Sequence, residues 1–205
     1  PASMDLTANY AFTGTNSVST IEYAEKKLAT LTASSSSTLS FTSSIDNTYN
    51  IYKFRFIEIH PSHDSNVDFG FQGSTNTGSS YGVTLTSSFF DAYHYENDSS
   101  AAVRYLTSRD LAQSTSFQPL SVNTAVADAD QHVSGELFLF DPSSTTFVKH
   151  FISTTQTASD GGSDDFSDNS YIAGYFNTTS AIDAIQFKFP SGNIDSGTIE
   201  MYGIN

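Results

Sequence analysis

Four aspartates lie close together in one glycine- and serine-rich segment and could bind a calcium ion. They are Asp160, Asp164, Asp165 and Asp168. Calcium takes hard oxygen ligands, and a flexible turn can bring several carboxylates around one ion. The spacing is not that of an EF-hand, so an ordinary solvated acidic loop is the alternative interpretation. We carry the calcium site forward as a hypothesis.

A second group of potential ligands combines imidazoles with carboxylates. His60, His63 and Asp64 flank Pro61, and Asp68 follows shortly after. Zinc and other divalent transition metals bind these ligand types. Spacing along a loop does not fix coordination geometry, and a polar strand end explains the same residues equally well.

A run of aromatic and polar residues could bind a glycan. Tyr93, His94 and Tyr95 precede Asn97, between two acidic residues. Exposed rings stack on sugars, while amides and carboxylates bond to sugar hydroxyls. The alternative is that these rings belong to the core, as most aromatic residues of a β domain do.

Two patterns that could indicate hydrolysis fail on context. The segment Gly78 to Gly82 has the G-x-S-x-G spacing of a nucleophile elbow, but a β-like run follows it where the elbow needs a helix. Glycosidases need two carboxyls that face each other across a cleft. Glu58, Glu136 and Glu200 instead alternate with core residues, which predicts the solvent face of a sheet. The sequence therefore predicts no catalytic residue and no enzyme.

Composition excludes further classes. The 205 residues carry a net charge of -14, which repels nucleic acid, and they include no cysteine, which excludes disulfides and Cys-ligated metals. No apolar run is long enough to span a membrane. Pro1 to Phe12 lack the regions of a secretory signal, so we expect no export signal. Nucleotide-binding motifs are absent, so we expect no cofactor.

The pattern of the chain predicts an all-β fold: an antiparallel β-sandwich, jelly-roll-like, of about ten strands. Short runs rich in aromatic and β-branched residues alternate with turns of Gly, Asn, Asp, Ser and Pro. The strongest is Tyr49 to His60, with apolar residues on both predicted faces. Tyr81 to Thr86 and Ser88 to Tyr95 are predicted as separate strands. Ala101 to Asp130 is predicted to be a long loop, with a turn of helix near Asp110 to Gln113.

The first 31 residues are predicted to form an N-terminal docking segment or arm, before a single β-sandwich domain over residues 32–205. The pattern up to Leu31 fits a short helix or an irregular strand. Both interpretations offer apolar and basic side chains to a partner. The docking residues we predict are Ile21, Tyr23, Lys26, Lys27 and Leu28.

Several segments, which together span most of the chain after Leu31, carry a resemblance to a known family. They are Leu31 to Ser37, Ile57 to Pro61, Phe71 to Ser74, Asp110 to Ser114, Leu139 to His150, Ala173 to Ile182, Ser191 to Ile199 and Tyr202 to Ile204. These segments resemble small virion proteins of tailed bacteriophages, especially phages of marine bacteria. Such proteins are chiefly structural, so the resemblance implies no catalytic residue.

From this resemblance we expect a non-enzymatic structural protein on the surface of a phage particle, assembled in the host cytoplasm. Its role would be to decorate or stabilise the capsid through contacts with other virion proteins. The alternative is a tail-associated, receptor-binding module that recognises a host surface glycan. Particle symmetry repeats every contact, so a homo-oligomer is expected, with no nucleic acid or membrane partner.

Overall fold

The computed structural model describes residues 25–62, 66–124, 130–159 and 164–205. Its secondary structure confirms the all-β prediction, because the described residues form strands and no helix. Twelve strands are present among them: β1 (Lys26–Thr32), β2 (Leu39–Phe41), β3 (Ile51–Pro61), β4 (Gly70–Ser74), β5 (Leu85–Tyr95), β6 (Ala101–Tyr105), β7 (Gln118–Pro119), β8 (Val133–Phe140), β9 (Lys149–Ser159), β10 (Phe166–Phe176), β11 (Ala184–Lys188) and β12 (Ile194–Ile204).

The strands form two antiparallel sheets. The larger sheet has eight strands in the order β1-β12-β3-β8-β9-β10-β5-β6, and the smaller has four in the order β2-β11-β4-β7. Within each sheet, neighbouring strands pair antiparallel, an arrangement in which a tight turn can join one strand to the next. The strands β8, β9 and β10 follow one another both in the chain and in the sheet, so the middle of the larger sheet is a simple meander.

The core lies where the two sheets face each other, and phenylalanine rings from both sheets meet in it. Phe187 of β11 in the smaller sheet contacts Phe54 and Phe56 of β3 in the larger one, with ring centroids 5.4 and 5.2 Å apart. Phe71 of β4 likewise meets Phe151 of β9 at 5.0 Å. Edge-to-face rings of this kind pack favourably, and each buries a large apolar area. These rings pack together with buried aliphatic residues such as Leu137, Ile185 and Ile199.

A β-bulge interrupts β3 within the predicted run Tyr49 to His60, so that Ile57 and Ile59, which regular alternation would place on one face, point to opposite faces. Glu58 adopts a positive φ of 52°, and the pairing with β8 shifts between Phe56 and Ile59. The extra residue returns Ile59 to the core and leaves Ile57 37% exposed. Gly197 of β12 packs against the bulge with φ 114°, and a Cβ there would lie 2.4 Å from the carbonyl oxygen of Glu58.

The region between Ala101 and Asp130 differs from its prediction as one long loop. It contains β6 and β7, and it has turns rather than a helix near Asp110 to Gln113. These strands have no core-facing alternation of their own, because β6 lies at a sheet edge and β7 has two residues. The two predicted strands between Tyr81 and Tyr95 are one strand, β5, which begins at Leu85.

Beneath this segment, the inner face of the larger sheet is polar instead of aromatic. Ser153, Thr155, Thr157 and Ser159 of β9 all point inward and are buried. Thr155 donates its hydroxyl to the carbonyl of Leu120, and Ser159 bonds similarly to Val122 at 2.7 Å. The buried backbone carbonyls of Leu120 and Val122 need hydrogen-bond donors. The hydroxyls of β9 provide these donors, which apolar side chains could not do.

The N-terminal part of the described chain is an irregular strand, the second of the two predicted possibilities. Lys26, Lys27 and Leu28 belong to β1, which pairs with β12 and shifts register between Lys27 and Ala29. The strand runs across the predicted boundary between residues 31 and 32, so the sheet begins at or before Lys26. Ile21 and Tyr23 lie outside the described residues.

Candidate docking face

The outer face of the larger sheet, turned away from the core, carries large exposed apolar side chains in register. Tyr171 of β10 lies opposite Phe90 of β5, which lies opposite Tyr105 of β6. We call these three residues the aromatic row. Phe90 and Tyr171 are 43% and 38% exposed, and their rings stack 5.0 Å apart. The sequence analysis does not single out these three rings, because adjacent aromatic residues such as Phe89 and Phe90 do not show which of them points inward.

An apolar groove of about 960 Å³ lies beside the aromatic row. Phe140 of β8, Ile152 of β9 and Tyr175 of β10 line it, together with Phe147 from the loop between β8 and β9. Phe147 is 69% exposed and Ile152 is 50% exposed. Contiguous exposed apolar surface on a protein marks a site of binding more often than isolated exposed residues do.

A buried lysine holds the loop that presents Phe147. The ammonium of Lys149 donates to the carbonyl of Phe147 at 2.8 Å and to that of Thr178 at 3.1 Å. Burial lowers the pKa of Lys149, because desolvation disfavours the charged ammonium. The backbone amide of Phe147 also donates to the hydroxyl of Ser144 at 3.1 Å. The groove wall is therefore fixed by hydrogen bonds at both ends of the turn.

The opposite half of the outer face is charged. Glu200 of β12 accepts hydrogen bonds from Tyr202 at 2.6 Å and from Lys27 of β1 at 3.1 Å, and Arg55 of β3 approaches it to 3.8 Å. These contacts, the Tyr202 hydroxyl first, lower the pKa of Glu200. Glu136 lies opposite Arg55 in the next strand, and Glu58 occupies the bulge. Glu200 and Glu136 thus lie on the outer face of the sheet, as the sequence predicts.

The predicted glycan residues divide between two faces of the sheet. His94 lies on the outer face, where it lines a cleft of about 360 Å³ with Tyr95, Glu96, His132 and Gln156. Tyr93 turns the other way and carries the guanidinium of Arg104 over its ring at 4.2 Å. The ring of Tyr95 stacks on Phe166 at 5.0 Å. Asn97 accepts a hydrogen bond from the amide of Ser99 in the turn after β5. His94 and Tyr95 both line the cleft, but the Tyr95 ring packs beside that of Tyr93, with centroids 5.8 Å apart, and away from His94.

The predicted calcium ligands also separate. Asp160 lies outside the described residues, and Asp164 and Asp165 precede β10. Asp168 lies in β10 and is fully buried. In the described parts of the chain, no group of three His, Cys, Asp or Glu side chains could hold a metal ion.

Asp168 instead belongs to a buried charge cluster, which we define as Asp91, Asp168 and Arg104. Arg104 donates its Nε to Asp91 at 3.0 Å and forms a second hydrogen bond with the same carboxylate, and it approaches Asp168 to 3.6 Å. Ser170 donates its hydroxyl to Asp168 at 2.8 Å. Both carboxyls are fully buried. The single positive charge of Arg104 therefore faces two buried carboxyl groups and can neutralise only one of them if both are ionised.

Burial, followed by hydrogen bonding to Asp91, raises the pKa of Asp168 to about 7. The unfolded chain binds this proton only below its ordinary pKa near 3.8. A raised folded-state pKa stabilises the fold at low pH, and this stabilisation is lost as the pH rises from about 4 through about 7.

We expect Asp168→Asn to be more stable than the native chain at pH 8, by on the order of a few kcal/mol, and to have no such advantage at pH 4.5. The amide is neutral at both values, so it never places a second charge beside Asp91. Urea unfolding at the two pH values measures the difference. Asp195→Asn, at an exposed position of β12, is the control. An equal gain in stability for Asp168→Asn at both pH values would contradict the raised pKa of Asp168.

The remaining sequence hypotheses also find places in the structure. His60 bonds through Nδ1 to the carbonyl of Gln131 at 2.6 Å, and Asp68 pairs with Arg109 at 2.8 Å, while His63 and Asp64 lie outside the described residues. Ser80, the central serine of the G-x-S-x-G match, accepts a hydrogen bond from Asn76 within a loop, and strand β5 follows.

Among the residues that the structure describes, no helix is long and apolar enough to cross a membrane. Comparison with known proteins finds no matching family model, no matching curated protein and no matching solved structure.

Proposed function

We propose that this chain is a non-enzymatic structural protein of a tailed-phage particle, and that it binds a neighbouring virion protein through the apolar groove. Its role would be to decorate or stabilise the capsid surface. We also propose that the fold is a jelly-roll-like β-sandwich, which the two facing antiparallel sheets support.

The observation that carries the proposal is the exposed Phe147 beside a groove whose wall is already fixed. A preorganised apolar pocket with an aromatic residue at its rim has the features of a binding hot spot, because docking there costs little ordering. The occupant we propose is an uncharged, apolar segment of the neighbouring subunit. An acidic segment fits poorly, because Asp141 also lines the groove and would repel it, while Phe140 and Ile152 offer only apolar contact.

The cleft beside His94 favours a second candidate, the tail-associated glycan-binding module. Its imidazole, carboxylate and amide groups could bond to sugar hydroxyls. The rings argue against sugar stacking, however, because Phe166 covers one face of Tyr95 and the members of the Phe90 and Tyr171 pair cover each other. Stacking on a sugar needs an open ring face, so we rank this candidate second.

We expect Phe147→Asp to abolish incorporation of the protein into particles, because it buries a charge against apolar groove walls. Particles assembled with native or variant protein are purified and labelled with immunogold against this chain. Native protein should label the head. Ile57→Asp, an equally drastic change at an exposed position of β3 outside the groove, should be incorporated normally.

Label on the tail would replace this proposal with the glycan-binding candidate, which a glycan array then tests directly. Absence of native label from intact particles, or normal incorporation of Phe147→Asp, would overturn the docking role of the groove.

A further inference from the structure

The last strand of the larger sheet, β6, ends the sheet with an open edge. Leu106 donates its amide to Phe89 at 2.9 Å, and Tyr95 donates to Ser100 at 3.0 Å, which fixes the hydrogen-bonding phase of β5 with β6. Bonded residues alternate in an antiparallel ladder, so Ala102 and Arg104 bond to β5. The amides and carbonyls of Ala101, Val103 and Tyr105 then point away from the sheet, and no described strand pairs with them.

The two ends of this sheet are protected very differently. Strand β1, at the other end, carries Lys26 and Lys27 and has a register shift after Lys27. Lysines and bulges are the usual means by which edge strands avoid pairing with other chains. Strand β6 has neither, and Val103 and Tyr105 on its outer face are 73% and 56% exposed.

The one charge in β6 does not protect the edge. Arg104 points inward, where Asp91 neutralises it through two hydrogen bonds. On the outer face, Ala92 and Val103 form a cross-strand pair next to that of Phe90 and Tyr105, so both pairs are uncharged. Asp110, which accepts a hydrogen bond from the hydroxyl of Tyr105 at 2.8 Å, lies beside one end of the strand, whereas Val103 at its centre pairs with Ala92. In a chain with a net charge of -14, the centre of β6 is therefore a place where two copies can approach with little repulsion.

We propose that two copies of this chain pair through β6, antiparallel and centred on Val103, and so join their larger sheets into one. This register uses all five residues and forms roughly six backbone hydrogen bonds between the copies. Each Tyr105 then lies opposite an Ala101 and each Arg104 opposite an Ala102, so every large side chain meets a small one. The pairing does not depend on the apolar groove, which lies on other strands.

The absence of cysteine from the chain makes a direct test possible. Residues in a hydrogen-bonded antiparallel pair have Cα atoms about 5.5 Å apart, which lies within the range that a disulfide spans. Under mild oxidation, Val103→Cys should form a covalent dimer nearly completely, as seen on a non-reducing gel. Thr30→Cys, an exposed position on the outer face of β1, should remain largely monomeric.

Sedimentation velocity tests the same pairing without a cross-link. The native chain should sediment at about twice its 22.2 kDa mass. Val103→Lys should sediment as a monomer, because it opposes two like charges at the centre of the interface, whereas Phe147→Asp should remain dimeric. Circular dichroism verifies that the exposed substitutions leave the fold intact. A monomeric native chain, a dimeric Val103→Lys, or equal cross-linking of the two cysteine variants would overturn the proposal.

Discussion

Phe187→Ala is expected to lower the free energy of unfolding by about 4 kcal/mol, enough to unfold a chain of ordinary stability at moderate temperature. Phe187 is fully buried in the short strand β11. Its ring contacts five other rings from both sheets, with centroids 5.2 to 6.3 Å away: Phe41, Phe54, Phe56, Phe69 and Phe71. Removal of the ring leaves a cavity that these neighbours cannot close, because their positions are fixed by strands of both sheets, β2 and β4 in one and β3 in the other.

Urea unfolding at neutral pH measures this loss. Phe90→Ala is the matched control, because it removes the same ring from the outer face, where Phe90 is 43% exposed. The control should cost about 1 kcal/mol, the value typical of a partly exposed aromatic pair. Losses of similar size in the two variants would mean that the two sheets do not share one aromatic core around Phe187.

The sequence predicts most of the long strands, because their periodicity is local. The run Tyr49 to His60, predicted as the strongest strand, forms β3 (Ile51–Pro61) because its pattern is visible in the sequence itself. The bulge in β3 could not be predicted in this way. The positive φ of Glu58 fits beside Gly197, which is distant in the chain and becomes its neighbour only when β12 pairs with β3. Strands such as β6 were missed because an edge strand need not alternate.

The functional residues were harder to predict than the fold. A ring in a strand has the same identity whether it points to the core, like Phe89, or to solvent, like Phe90. Only the sheet order shows that Phe90 stands between Tyr171 and Tyr105. The acidic loop gave a similar ambiguity, since Asp168 resembles its neighbours in sequence but enters β10 and pairs with residues of β5 and β6.

Arg104→Ala is expected to cost about 3 kcal/mol at pH 8, because it leaves Asp91 and Asp168 buried without a positive charge. Arg104 is itself partly exposed, which places the expected loss at the lower end for a broken buried pair. The hydrogen bonds that Arg104 donates to Asp91 raise the pKa of Arg104, so the guanidinium stays charged over the whole accessible pH range. Arg104→Ala therefore removes both the positive charge beside Asp91 and Asp168 and the packing of the guanidinium over the ring of Tyr93.

Arg55→Ala provides a matched control for this variant. Arg55 also lies in a strand, covers a tyrosine ring at 5.1 Å and approaches a carboxylate, that of Glu200. Glu200 keeps Lys27 as a second partner and lies on the outer face, so the control should cost less than about 1 kcal/mol.

The pH dependence separates charge from packing in the Arg104 variant. Near pH 5 Asp168 holds its proton, so the cluster without Arg104 contains at most one buried charge, and the cost should be smaller than at pH 8. Urea unfolding of native, Arg104→Ala and Arg55→Ala chains at both pH values gives the comparison. A loss for Arg104→Ala that is the same at both pH values would assign the role of Arg104 to packing over Tyr93. A loss that falls at pH 5 would identify it as the counter-charge that keeps β6 attached to β5 and β10.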